Sequence, residues 1–431
     1  MRKSIGVHER PPHLQSLMLS FQHLFAMFGS TVLVPNILKV DPAICLLMNG
    51  IGTLLYILVT KGKIPAYLGS SFAFLGPAGA VIANEASGGS YAAALGGFIA
   101  VGVIFTVVAF IIQYTGTGWL NVVFPPAAMG AIVAIIGLEL IPVAARMSGF
   151  IPYPEDPPTW TMDTDVVLLA VSTMAVTVLG SVLFRGFMRI IPILFGIIFG
   201  YVLAYFMGMT DFSGLDKAGL LAAPTLTFPK FHWTAIIAIA PAALVVIAEH
   251  IGHLIVTGNI VEKDLSKDPG LHRSMLGNGI STILSGFVGS TPNTTYGENI
   301  GVLAITRVYS TFVIGGAAVI AIILSFSGKF SSLVSGIPGP VMGGVSLLLF
   351  GVIAASGLRM LVESKVDYSK PTNLFLTTVV LVVGLSGVKL TFGDVSFTGM
   401  ALATIVAILL SLLFKLFEVL RLTNDSEAGG H

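Results

Sequence analysis

Eleven apolar runs, near 14–38, 43–60, 91–113, 119–141, 165–184, 189–209, 232–259, 307–327, 333–356, 372–391 and 397–418, are almost free of charge. Each is about as long as the 17–25 residues that a helix needs to cross a bilayer. No other feature of the chain limits its fold as strongly. In lipid every backbone N–H and C=O must be satisfied within the protein, so such runs become helices packed on helices. Only 10% of the 431 residues are charged, against about 25% in a soluble domain. A net charge of +1 gives no electrostatic reason to expect nucleic acid or other acidic partners. Cys45 stands alone, which excludes a disulfide framework.

Three further stretches complete the pattern. Residues 273–289 are short but apolar, while 67–83 and 290–306 are interrupted by Gly, Pro, Ser and Thr. Together the chain reads as an all-α polytopic membrane protein of fourteen transmembrane segments, with both termini on one side. Sixteen of the 22 lysines and arginines then fall on that side, among them Arg2, Lys3, Arg10, Lys61, Lys63 and Arg359. The excess makes that side, and both termini, cytoplasmic. The opening MRKSIGVHERPPH has no apolar core ahead of its basic residues, so no cleavable signal peptide is expected.

FPPAAMGA (124–131) and IPGPVMGG (337–344) share a Pro–Met–Gly spacing at an offset of 213 residues, and Phe72 and Thr295 lie 223 apart. The two interrupted stretches take third and tenth place. Two inverted repeats of seven spans are therefore expected, the plan in which broken segments of secondary transporters mark the binding site. Chance matches of Pro and Gly at span ends are the competing reading. YLGSSFAFLGP (67–77) and STPNTTYGENIG (290–301) resist helix formation. Extended backbone survives at membrane depth only if buried in protein or lining a cavity. The pair is expected to form short antiparallel strands, each turning into a half-helix near 73–83 and 298–306. A re-entrant structural loop is the alternative.

Ionisable residues in these runs are expensive and point to function. Glu249 and His253 are four apart on one helical face, and Glu298 heads the second half-helix. Two carboxylates and a histidine around one cavity suit a ligand and a transferable proton. His250 is turned away by about 100° and is assigned to packing. His23 is read either as a brace for the site or as a core residue. Glu139 is expected to reach the membrane interface. EHIGH (249–253) matches neither HExxH nor HxxEH, so a metal site is disfavoured. GIIFG (196–200) is a helix-packing motif.

Glu298-Asn299-Ile300-Gly301, followed by Thr306-Arg307, resembles the signature of the nucleobase–ascorbate transporter family, and Gln22-His23 resembles that family's Gln-His pair. The resemblance extends over essentially the whole chain, including PAYLGSSFAF, PAALVVIAEH and FPPAAMGAIVA. It implies a uracil–proton symporter of the bacterial cytoplasmic (inner) membrane, with no cofactor beyond the co-transported proton. It implies a core domain of residues 1–118 and 232–330 and a gate domain of 119–231 and 331–431, dimerising through the gate. Glu249 and Glu298 would accept hydrogen bonds from the nucleobase N–H groups. The amides of Phe72 and Gly297 would donate to its carbonyls, Tyr296 would line the pocket, and His253 would join the proton network. Glutamate at 298 resembles the uracil branch. Transport of another nucleobase of the xanthine or uric acid type, and anion exchange or a channel on the same architecture, remain the alternatives.

Overall fold

The computed structural model describes residues 4–423 apart from Phe187 and Asp394; Arg2 and Lys3, used above for orientation, lie outside that range. The first apolar run is two helices, α1 (His13–Ala26) and α2 (Phe28–Leu38), broken at Met27 and followed by α3 (Pro42–Val59). Asp41 caps α3 by accepting from the Ala43 amide at 2.9 Å, with Pro42 as first residue, the usual chemistry of a helix start. The third stretch comprises strand β1 (Leu68–Ser70), a 3-10 turn (Phe72–Phe74) and the half-helix α4 (Leu75–Ala83). The long helix α5 (Tyr91–Thr115) follows.

The run expected at 119–141 is split by Pro125 and Pro126 into a single turn, α6 (Leu120–Val123), and α7 (Pro126–Met147). Then come α8 (Thr164–Leu183), α9 (Pro192–Phe206), a short α10 (Ser213–Lys217), α11 (Trp233–Val261) and α12 (Leu271–Val288). The second interrupted stretch is strand β2 (Asn293–Thr295) and half-helix α13 (Gly297–Thr306). Beyond it lie α14 (Thr311–Ser325), α15 (Gly328–Ser335), bent from α14 by 89°, and α16 (Gly339–Glu363). The run expected at 372–391 stops early: α17 (Pro371–Leu385) ends before Gly387, whose φ of 70° breaks the helix. Strands β3 (Lys389–Phe392) and β4 (Val395–Thr398) then form a hairpin that the hydropathy pattern did not reveal, and α18 (Gly399–Val419) closes the fold.

Among the described residues, eight helices are long and apolar enough to cross a membrane. Leucine, valine and phenylalanine stand exposed on the outer faces of α8, α9, α17 and α18. A mostly helical polytopic membrane protein accounts for both facts. Helices α7 and α16 pack through small residues. A Cβ on Gly137 would strike the Phe350 carbonyl and Ala354, and one on Gly357 would strike Ala134 and the Gly130 carbonyl. As residue number rises along α7 it falls along α16, so the two run antiparallel, and close backbone approach is what binds helices together in lipid.

Glu139, expected to reach for the interface, is half-buried and has a partner inside the protein. Its Oε2 accepts the Met400 amide at 2.7 Å, so it caps the first turn of α18 from α7. An unpaired amide at a helix start is a favourable partner for a carboxylate.

Candidate functional site

Strands β1 and β2 pair antiparallel, Leu68 with Thr295, Gly69 with Thr294 and Ser70 with Asn293. All six residues are buried. A two-stranded ribbon leaves outer edges that must find partners inside the protein. On one edge Thr53 of α3 accepts the Leu68 amide at 2.9 Å. The Ser71 amide donates to the Pro292 carbonyl at 3.0 Å, and the Tyr296 amide to Tyr67 at 3.1 Å. Asn293 reaches the Met48 carbonyl at 3.1 Å and Ser281 at 2.7 Å, and the Thr282 hydroxyl donates to the Asn293 carbonyl at 3.2 Å. The polar residues that spoil these stretches as helices thus tie the ribbon to α3 and α12. Gly69 is required for a separate reason: any Cβ there would fall on the ring of Tyr296. That ring is buried, and its hydroxyl donates to the Ser70 carbonyl at 3.1 Å.

The Thr306-Arg307 end of the signature terminates α13. The Thr306 hydroxyl donates to Val302 at 2.7 Å and accepts the Val308 amide at 3.2 Å, while Arg307 turns left-handed with φ of 59°. The signature therefore encodes a half-helix with a fixed start and stop.

A cavity of about 230 Å³ lies where the ribbon meets α11, α13 and α16. Phe72, Glu249, His253, Tyr296, Gly297 and Glu298 all line it. Glu249 and His253 come from α11, Glu298 from the first turn of α13. His253 Nδ1 lies 3.1 Å from the Thr295 hydroxyl, and Oε2 of Glu249 is buried with no hydrogen-bond partner among the described residues. Gly297 opens α13 and Phe72 opens the 3-10 turn, positions at which an amide lacks an intrahelical acceptor. The cavity thus sets carboxylate acceptors and helix-end amides around one small space, with the Phe72 ring alongside; Phe72 packs edge-on against Phe350 of α16 at 5.6 Å.

His23 is buried in α1 but does not line the cavity. His250 turns away, as its angle required: its Nε2 lies 2.7 Å from Ser274, which lies 2.6 Å from the Tyr56 hydroxyl. Several lining residues escaped the sequence reading, Ser71, Thr294, Ser356 and Arg359 among them. Ser71 and Thr294 present buried hydroxyls without partners among the described residues. Ser356 and Arg359 close the cavity from α16, with Arg359 held 2.6 Å from Glu363. Hydroxyls inside a broken segment have no signal of their own. Arg359 had been read only as one of the basic residues that fix orientation.

Polar groups gathered around a small cavity inside a bundle of membrane-length apolar helices define a polytopic membrane protein with an internal polar site. A model described as a permease family matches residues 14–393, and the chain belongs to that family, the nucleobase–ascorbate transporters. It is 61% identical over 421 residues to a uracil permease of Paenibacillus larvae, covering 98% of this chain and 99% of the relative. Identity is also 61% over 420 residues to the uracil permease of Escherichia coli, covering 97% and 96%, and 45% over 420 residues to that of Bacillus subtilis, covering 95% of each. Among solved structures, the transmembrane domain of a cyanobacterial bicarbonate transporter, BicA, has a TM-score of 0.62 at 14% identity and covers 95% of this chain and 98% of that one. SLC26A9 has a TM-score of 0.69 at 12% identity; 94% of this chain is covered, and the chain spans 65% of that larger one. At such identities the likeness concerns the fold alone.

Proposed function

We propose that the chain carries uracil inward across the bacterial cytoplasmic membrane, coupled to a proton, by alternating access. The observation that carries this reading is the cavity wall itself. Two carboxylates, Glu249 and Glu298, stand beside the amides of Phe72 and Gly297. Uracil has two N–H donors and two carbonyl acceptors on a flat ring, the complement of that wall. In this reading the carboxylates accept from the ring N–H groups and the two amides donate to the carbonyls. Phe72 and Tyr296 flank the ring, and the proton is shared among Glu249, Glu298 and His253. The names of the relatives support the same substrate.

The remaining architecture follows the same proposal. Taking α1–α2, β1–α4 and β2–α13 as one crossing each, and counting none for the short α6, α10 and α15, gives fourteen, with both termini cytoplasmic. The antiparallel pairing of β1 with β2, and of α7 with α16, supports two inverted repeats of seven. Residues 1–118 and 232–330 form a core, and 119–231 and 331–431 a gate through which two copies pair. The glycine-lined α7–α16 contact keeps the gate stiff. Val352, Ile353, Ser356 and Arg359 cover the cavity from the gate side, so moving core against gate opens it. One charge crossing about 100 mV gains about 2.3 kcal/mol, enough to sustain about a 40-fold gradient of a dilute nutrient.

Anion exchange, suggested by the fold alone, is disfavoured by two acidic groups in the cavity against one cation, Arg359, which Glu363 already engages. Purified protein in liposomes is expected to accumulate labelled uracil under an inward proton gradient. Accumulation indifferent to an uncoupler rejects proton coupling, and stronger competition by xanthine or uric acid than by unlabelled uracil rejects the substrate.

A further inference from the structure

A second cavity, about 840 Å³, lies outside the transport site, on the flank where α1, α3 and α14 meet. Its walls are Leu17, Leu54, Ile57, Phe312, Val319 and Ile323, most of them exposed. Its floor contains hydroxyls, but these are already engaged. Ser16 donates to the Pro11 carbonyl and Ser20 to that of Val313, each at 2.8 Å, and Thr311 donates to Val7 at 3.2 Å. The groove is therefore apolar along its length.

One end differs. His8, Arg10 and His13 stand there, all exposed. They are held in place because the preceding strap is pinned to the turn between α13 and α14: the Ile5 amide donates to Arg307 at 2.9 Å and the Tyr309 amide to Ile5 at 2.8 Å. Arg10 sits 5.4 Å over the Phe312 ring and makes no ion pair among the described residues. The neighbouring Glu9 folds back onto the Gly6 amide at 3.0 Å. From Phe312, at the cationic end, to Ile323 is eleven residues of α14, about 16 Å at 1.5 Å per residue. That is half the hydrocarbon thickness of about 30 Å, the depth of one leaflet.

We infer that this groove is a binding site for an anionic phospholipid. The phosphate sits among Arg10, His8 and His13, and one acyl chain runs along α14 between Leu17 and Leu54. A charged end joined to a dry slot one leaflet deep fits a lipid, whereas a small soluble anion has no use for the slot. A zwitterionic lipid fills the slot but gains less from the uncompensated guanidinium, since a cation near an anionic headgroup is worth about 1 kcal/mol. The site is independent of the transport reading and needs only that the protein lie in a membrane.

Native mass spectrometry of the full chain, with equal dioleoyl phosphatidylglycerol and dioleoyl phosphatidylcholine, tests it. Wild type is expected to retain phosphatidylglycerol preferentially. Arg10→Gln should reduce that preference about fivefold, the equivalent of about 1 kcal/mol. Gly315→Leu, where a Cβ meets only ordinary contacts with Leu54 and Ile57, should fill the slot and lower retention of both lipids. Equal retention of the two lipids by wild type, or wild-type preference in Arg10→Gln, overturns the proposal. Uracil binding measured on the same samples reports separately on the transport site.

Discussion

Nδ1 of His253 lies 3.1 Å from the hydroxyl of Thr295, joining the C-terminal third of α11 to the strand that ends at the cavity. A Cβ on Gly297 would lie 3.2 Å from the other ring nitrogen, so the imidazole is wedged between the ribbon and the start of α13. Thr295→Val keeps the shape and removes the partner. Leaving a buried polar group unpaired costs about 1–3 kcal/mol. Proton-driven uptake is expected to fall about tenfold or more, with uracil binding changed only a few-fold. An unaltered uptake rate across the pH range removes His253 from the proton path.

Glu249 and Glu298 are expected to carry the substrate contacts. A hydrogen bond to a charged group is worth about 1.5–3 kcal/mol, so Glu249→Gln or Glu298→Gln should each weaken uracil binding about 10- to 100-fold. Calorimetric titration of the purified variants is the check. A variant that binds within twofold of wild type places its residue outside the site.

Gly69→Ala should be costly despite adding one methyl group, because that methyl meets the Tyr296 ring rather than open space. Overpacking of this kind costs about 1–3 kcal/mol. The displaced ring borders the cavity, so both the thermal midpoint and uracil affinity should drop. Loss of neither would mean that the ribbon and ring yield freely.

Glu139→Ala should lower the thermal midpoint while leaving uracil affinity intact. The carboxylate holds the Met400 amide at the start of α18, and a lost cap costs about 1 kcal/mol. Glu139→Gln retains an acceptor oxygen and should recover most of the difference. Equal melting of wild type and Glu139→Ala contradicts the capping role.

Much of the site was legible before any coordinates. Glu249 and His253 share a face because helical spacing demands it, and the polar, glycine-bearing 67–77 and 290–301 had no helical way to satisfy their backbone in lipid. Their pairing as β1 and β2 followed from that constraint. The hairpin of β3 and β4 went unread because hydropathy alone extends α17 into it, although in KLTFGDVSFT the apolar residues alternate with polar ones, the period of a strand pair rather than of a helix. The capping role of Glu139 was not legible because a helix start brought to it from 261 residues away leaves no trace near position 139.

The sequence by itself determined that the chain lives in a membrane, the course of most of its helices though not their breaks and ends, and which two stretches are interrupted, since those depend on local polarity and backbone chemistry. Only the tertiary structure decided what the broken pieces touch. It brought Arg359 and Ser356 to the cavity opposite Glu249 and Glu298, left His23 outside it, and opened a lipid-deep slot beside Arg10. Such meetings depend on how rigid helices pack in three dimensions, and the spacing of residues along one helix carries no record of the face that another helix will present.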